Sequence, residues 1–140
     1  VDGLTLGADY LEFSGVIGAT EQAPESGAYY ATYAVGPAVI GYSKSFAALA
    51  MSSIATEQVE TVENTKYSIG INVNDNLSIS YGERDTEAEG SANDQEVEGM
   101  SVGYSMGGIS IAAHSNEATN IANQADNVSE HTEISVSFAF

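Results

Sequence analysis

Between Lys66 and Gly82 bulky and small residues alternate, interrupted only by one turn. Tyr67, Ile69, Ile71 and Val73 take every second place against Lys66, Ser68, Gly70 and Asn72. After Asn74-Asp75-Asn76 the pattern resumes, with Leu77, Ile79 and Tyr81 set against Ser78, Ser80 and Gly82. A period of two belongs to extended chain, whose successive side chains point to opposite faces, and a helix cannot hold it on one side. The turn makes the two runs a hairpin with matched faces. If Val73 pairs with Leu77, counting outward sets Lys66 opposite Arg84 on the small side.

The same alternation recurs along the chain. Leu4, Leu6, Ala8 and Tyr10 form one run, and Tyr29, Ala31, Tyr33 and Val35 another that stops at Gly36-Pro37. Met100, Val102, Tyr104 and Met106 lead to Gly107-Gly108, and Ile109, Ile111 and Ala113 leave it. The chain ends on Thr132, Ile134, Val136, Phe138 and Phe140, alternating with Glu133, Ser135, Ser137 and Ala139. The run over about 38–49 is less regular, because Ile40, Tyr42, Lys44 and Phe46 put a charge among bulky residues, and a slip by a β-bulge is the expectation there.

The pattern predicts an all-β chain of about eight strands. Its connections alternate strictly between short turns (Gly36-Pro37, Asn74-Asp75-Asn76, Gly107-Gly108) and long polar stretches at 14–26, 50–64, 87–96 and 119–130. In an antiparallel up-and-down meander every second connection lies at the same end, so all the short turns share one end and all the long loops the other. Membrane β-barrels have that asymmetry, and their strands of about ten residues tilted at about 45° suit an apolar band about 25 Å tall. The expected architecture is a β-barrel, or part of a larger one, as a single domain over residues 1–140.

Composition narrows the function. Three basic residues against 20 acidic ones give a formal charge of −17, which repels phosphate backbones and excludes nucleic acid as a partner. Fifteen of the 20 acids fall in or beside the long connections, so one end of the barrel is expected to carry an acidic rim. There is no Cys, and His114 and His131 are the only histidines, without the spacing of a tetrahedral metal set. Neither histidine has a nucleophile and acid partner evident in the sequence, so no enzymatic activity, metal or cofactor is expected. No apolar run approaches the roughly 20 residues of a membrane helix, and with no basic and apolar leader before Val1 the chain reads as a mature protein or a fragment of a longer one.

The terminal Phe138-Ala139-Phe140 after alternating Ile134 and Val136, together with the hairpins VGYSMGGISIAAHSN and YSIGINVNDNLSISYGE, resembles the C-terminal half of Gram-negative general porins, particularly the alphaproteobacterial type. The likeness is one of pattern over most of the chain. It implies a passive outer-membrane channel for ions and small hydrophilic solutes. It further implies a sixteen-stranded, trimeric parent barrel, of which this chain supplies about eight strands, in contact with outer-membrane lipid.

The two faces can be assigned on size. A closed eight-stranded barrel must fill its interior with side chains, and Ser and Gly cannot do so. The small face is therefore expected to line water in a wider barrel, with Asp9, Lys66, Ser68, Asn72, Ser80, Arg84 and His114 along the pore. Tyr67, Ile69, Ile71, Ile79, Tyr81, Tyr104, Ile134, Val136, Phe138 and Phe140 then face lipid. Lys66 and Arg84 would form a basic spot on the wall, or else pair with Glu83, Asp85 or Glu63 at the loop rim; Lys44 would snorkel or mark a bulge. The alternative architecture is a self-contained eight-stranded barrel with the bulky face turned inward as a core, acting as a small-ligand binder or a structural surface protein. Both obey period two.

Overall fold

The computed structural model of the chain describes residues 2–12, 25–49 and 60–139. They form eight antiparallel strands in one sheet, ordered as in the sequence: β1 Leu4–Glu12, β2 Glu25–Val35, β3 Ala38–Leu49, β4 Glu60–Asn74, β5 Leu77–Ala88, β6 Gln95–Met106, β7 Ile109–Thr119 and β8 Ser129–Phe138. This is the expected up-and-down meander. The sheet does not close on itself: β1 and β8 each have one neighbour among the described residues.

The short turns follow from local chemistry. Gly36 and Gly107 open their two-residue loops with φ of 55° and 61°, a conformation that costs a side chain strain and glycine nothing. At the third turn Asn74 Oδ1 accepts from the backbone N–H groups of Asn76 and Leu77, at 2.8 and 2.9 Å. Each turn is then hooked onto the next strand. Pro37 O accepts from Asn72 N–H at 2.9 Å, Asn76 O from Ser105 N–H at 2.8 Å, and Gly108 O from Ala139 N–H at 2.7 Å. Since β4 runs on past Asn72 and β6 past Ser105 before turning, each turn lies further out than the one before. The sheet is therefore sheared.

Several expectations change. The β3 ladder is unbroken on both sides, and Lys44 simply belongs to the bulky face, opposite Tyr29 and Thr65. The irregularity falls instead between Asn72 and Asn74, where Asn74 and not Val73 meets Leu77. That bulge lies on the turn side of Asn72, so Lys66 still faces Arg84. The strands also reach further into the acidic stretches than alternation suggested, because bulky–acidic alternation dissolves into polar–acidic alternation that carries no apolar signal. Expected loop residues 60–64, 87–88, 95–96 and 129–130 are strand. The last connection carries a 3-10 turn, Ile121–Asn123, with Asn120, Ala122 and Asn123 at positive φ. The expected loop stretches 14–24 and 50–59, and Phe140, lie outside the described residues.

No described side chain forms a buried core. The bulky residues expected to pack or to face lipid are exposed, from Tyr104 at 37 % to Ile134 at 70 %. The inward-turned arrangement, with these side chains as a packed core, is not the one adopted.

Asn74→Ala removes the acceptor for two turn N–H groups at an exposed site, and is expected to lower stability by about 0.5–1.5 kcal/mol. The midpoint of urea unfolding in detergent micelles measures it; a shift of zero would show that water serves those groups equally well.

Candidate functional site

The ladder sorts every strand residue onto one of two faces. All seven residues expected on the small side lie there: Asp9, Lys66, Ser68, Asn72, Ser80, Arg84 and His114. Ser80 and Ser101 meet through their hydroxyls at 2.6 Å, and Thr86 donates to Asn64 Oδ1 at 2.8 Å. His114 faces Glu133, and Asn116 faces His131, whose Nε2 lies 3.7 Å from Glu133 Oε2. Among the described residues no three His, Asp or Glu side chains converge as metal ligands would.

A groove of about 680 Å³ opens over the middle of this face, touching β2 through β7. One row of directly opposed residues crosses it: Gly7, Tyr30, Ser43, Lys66, Arg84, Val97, Ala118 and Ser129. Lys66 and Arg84 sit at its centre. The acids proposed as their partners, Glu83, Asp85 and Glu63, alternate onto the opposite face, although Glu83 and its row neighbour Glu98 also border the groove, and Glu63 is held at 2.6 Å by Lys44. Arg84 Nε is shielded from water and has no hydrogen-bond partner among the described residues.

Sequence reading passed over Tyr30, the one phenol on the small face. Its ring lies over Gly7 in the opposite strand, in the space a Cβ there would occupy. The signal was present as a Tyr in the small phase directly beside Tyr29. Interpreting it required the cross-strand partner, which alternation within one strand does not supply.

The bulky face is divided. Toward the turns it is apolar; toward the loops it carries acids, all but Glu12 and Glu83 of which were expected in or beside the connections. Glu12, Glu25, Glu63, Glu83, Asp85, Glu87, Glu96, Glu98, Glu117 and Glu130 are all strand residues on this side. Tyrosines mark the border on five successive strands: Tyr10, Tyr29, Tyr42, Tyr67 and Tyr81. Tyr42 stacks at a tilt between Tyr29 and Tyr67, with centroids 6.1 and 5.3 Å away. Tyr10 and Tyr81 donate across the border to Glu25 and Glu98, at 2.8 and 2.9 Å.

That border is not parallel to the hydrogen-bonding rows. On β8 the last apolar residue before the acids is Ile134, and its row runs through Ala113, Val102, Ile79, Ile71 and Ala38 to Val35 at the turn end of β2. On β2 the last bulky residue before the acids is Tyr29, six residues further along the strand from Val35. The border thus climbs about one residue per strand over six steps. At about 3.3 Å per residue and 4.8 Å between strands, this inclines the strands about 35° to the band's normal. From the turn-side end of the band to the first charge is six to ten residues on every strand, for instance Ala38 to Lys44 and Val35 to Glu25. The charge-free band is therefore about 22 Å tall after projection.

Gly103-Tyr104-Ser105-Met106-Gly107 fits the formula of a nucleophile elbow, which needs a strand-to-helix bend. Here it runs along β6 into a two-residue hairpin, and Ser105 Oγ meets only Ser110 Oγ, at 3.2 Å. Among the described residues Ser105 has no base as a hydrogen-bond partner. Comparison of the chain with protein-family models, curated proteins and solved structures gives no match.

Gly7→Ala is expected to push the Tyr30 ring off β1 into the groove and cost about 1 kcal/mol, a loss that Tyr30→Ser largely cancels. A double-mutant cycle by chemical denaturation reads the coupling; additivity of the two changes would place the ring elsewhere.

Proposed function

We propose that the chain forms part of the wall of an outer-membrane channel of general-porin type. Its small-residue face lines a water-filled path for ions and small hydrophilic solutes, and its apolar band contacts lipid. The observation that carries this reading is the inclined band. A patch for a protein partner has no reason to incline steadily from β8 to β2 while staying six to ten residues tall, whereas a bilayer imposes a bounded height on any tilted sheet crossing it. The tilt of about 35° and height of about 22 Å fall near the values of membrane barrels, about 35–45° and 25 Å. The tyrosine border, with the Tyr10 and Tyr81 hydroxyls turned toward the charged side, resembles an aromatic girdle of such barrels.

On this reading the short turns lie at the periplasmic end and the acidic strand ends outside, and further strands complete the barrel beyond β1 and β8. The work of the wall is passive: it offers Ser, Asn and Gly surface to water and excludes lipid. In a porin-like parent the barrels would assemble as trimers.

Two paired substitutions test the face assignment. Ile79→Arg, at mid-band on the bulky side, is expected to destabilise the protein in phosphatidylcholine vesicles by about 2–4 kcal/mol, and Ser80→Arg on the other face by less than about 1 kcal/mol. Equilibrium urea titration of vesicle-folded protein measures both. Equal costs, or failure of the chain to enter bilayers and raise their conductance, would overturn the channel reading.

A further inference from the structure

The chain has three basic side chains, and their placement is uneven. Lys44 is on the bulky face, bound to Glu63. The other two, Lys66 and Arg84, are set directly opposite each other on the small face, where Asp9 and Glu133 are the only acids among the described strand side chains. Directly opposed like charges destabilise an antiparallel pair, and Cβ atoms so placed are about 5 Å apart. The positions around the two cations do nothing to relieve this. Their row neighbours are Ser43 and Val97, the row on the turn side offers Gly41, Ser68, Gly82 and Gly99, and the row on the loop side offers Ser45, Asn64, Thr86 and Gln95, with Thr86 and Asn64 engaged with each other and the row's acid, Asp9, three strands from Lys66 on β1.

The glycines matter. A Cβ at Gly41 would meet Ser68 Oγ and one at Gly99 would meet Asn116 Oδ1, so these two short polar side chains lie over the glycines and the row beside the cations carries no bulky group along the groove. The result is a floor of small and polar groups beside two adjacent cationic donors, one of which, Arg84, keeps a shielded Nε without a partner among the described residues.

We infer that Lys66 and Arg84 together bind a small oxyanion, a phosphate or carboxylate solute, that bridges the two side chains in the groove. A guanidinium fork and an ammonium side by side supply charge-assisted donors to two oxygens of one group. A lipid head group is not the source, because the apolar band lies on the other side of the sheet. The inference rests on the channel reading for how the solute arrives, and on the geometry of the row for the binding itself. The site makes this stretch of wall a station for anions in a chain of strongly negative charge.

The test uses the full chain in zwitterionic detergent at low salt. Line broadening of the 31P signal of inorganic phosphate, and of the 13C signal of labelled succinate, reads binding of each anion. Wild type is expected to broaden at least one of them, with the effect reversed by high chloride. The double variant K66Q/R84Q is expected to weaken binding by more than about tenfold, each single variant by about threefold or more, and K44Q, on the other face, not at all. Removing one cation relieves repulsion, so K66Q and R84Q are expected to fold at least as well as wild type; if the double variant does not fold, the singles carry the test. No broadening in wild type, or equal broadening in the variants, overturns the inference. Bilayer conductance separates it from the channel reading: a conducting chain that binds neither anion removes this site alone, and a chain that binds phosphate without conducting removes the channel alone.

Discussion

The backbone ladder is the one interaction system that this sheet completes by itself. Seven strand pairs satisfy their inner N–H and C=O groups, the short turns hook onto the following strands, and none of the described residues forms a layer packed on either side. Everything else therefore depends on what covers the bulky face. Among the described residues twenty-five large hydrophobic side chains stand at least 37 % exposed, most of them on that face, and covering one such side chain fully is worth about 1.5–3 kcal/mol. Set against a net stability of about 5–15 kcal/mol for an ordinary domain, that surface outweighs any set of hydrogen bonds or ion pairs in the structure. In water alone a one-layer sheet of this kind would bury its bulky face against a second copy or aggregate. On the proposed reading a bilayer would supply the missing apolar phase while leaving the Ser and Gly side wet, and the distribution of side chains and the thinness of the fold would then belong together.

Shear follows from the same constraint. A sheet whose turns lined up squarely with the rows would cross a planar apolar phase with its strands along the normal, and its edges could not meet without a step. Here the step is distributed, about one residue per strand, through turns that each overshoot the last. β1 and β8 run in opposite directions, and each carries an apolar stretch, Leu4 and Leu6 on one and Ile134 and Val136 on the other. Exposed edges of this length and character template association with other strands. The geometry at both edges suits continuation of the sheet at the same inclination.

The sequence displayed period two openly, and with it the faces, the short turns and even the opposition of Lys66 and Arg84, because a hairpin's register follows from its turn. Three features were hidden for separate reasons. The loop-side ends of the strands carry Thr, Gln and Glu in place of Ile and Val, so pattern reading assigned Glu63, Glu87, Glu96 and Glu130 to connections although their backbones pair. Lys44 looked like a disturbance within its own strand, and its place became intelligible only with Glu63 in the adjoining one. The inclination of the apolar border is a property of eight strands in register, and no single run of alternating residues contains it.

The charges explain how the wall can hold two cations side by side. At about 5 Å in a water-like dielectric their repulsion is about 0.8 kcal/mol, and a lower effective dielectric raises it in proportion. The chain places Glu83 and Asp85 immediately before and after Arg84, with Glu63 three residues from Lys66, all projecting from the reverse of the sheet. An acid about 10 Å away attracts each cation by about 0.4 kcal/mol under the same dielectric, so two or three acids behind the sheet offset the repulsion in front of it. Attraction through the sheet neutralises the energy without occupying a single donor. Direct pairing, as at Lys44, would have consumed the hydrogen-bonding groups along with the charge. Keeping most acids on the opposite face therefore leaves Lys66 and Arg84 tolerable in the fold and without an acid partner among the described residues, which is the condition the proposed anion site requires.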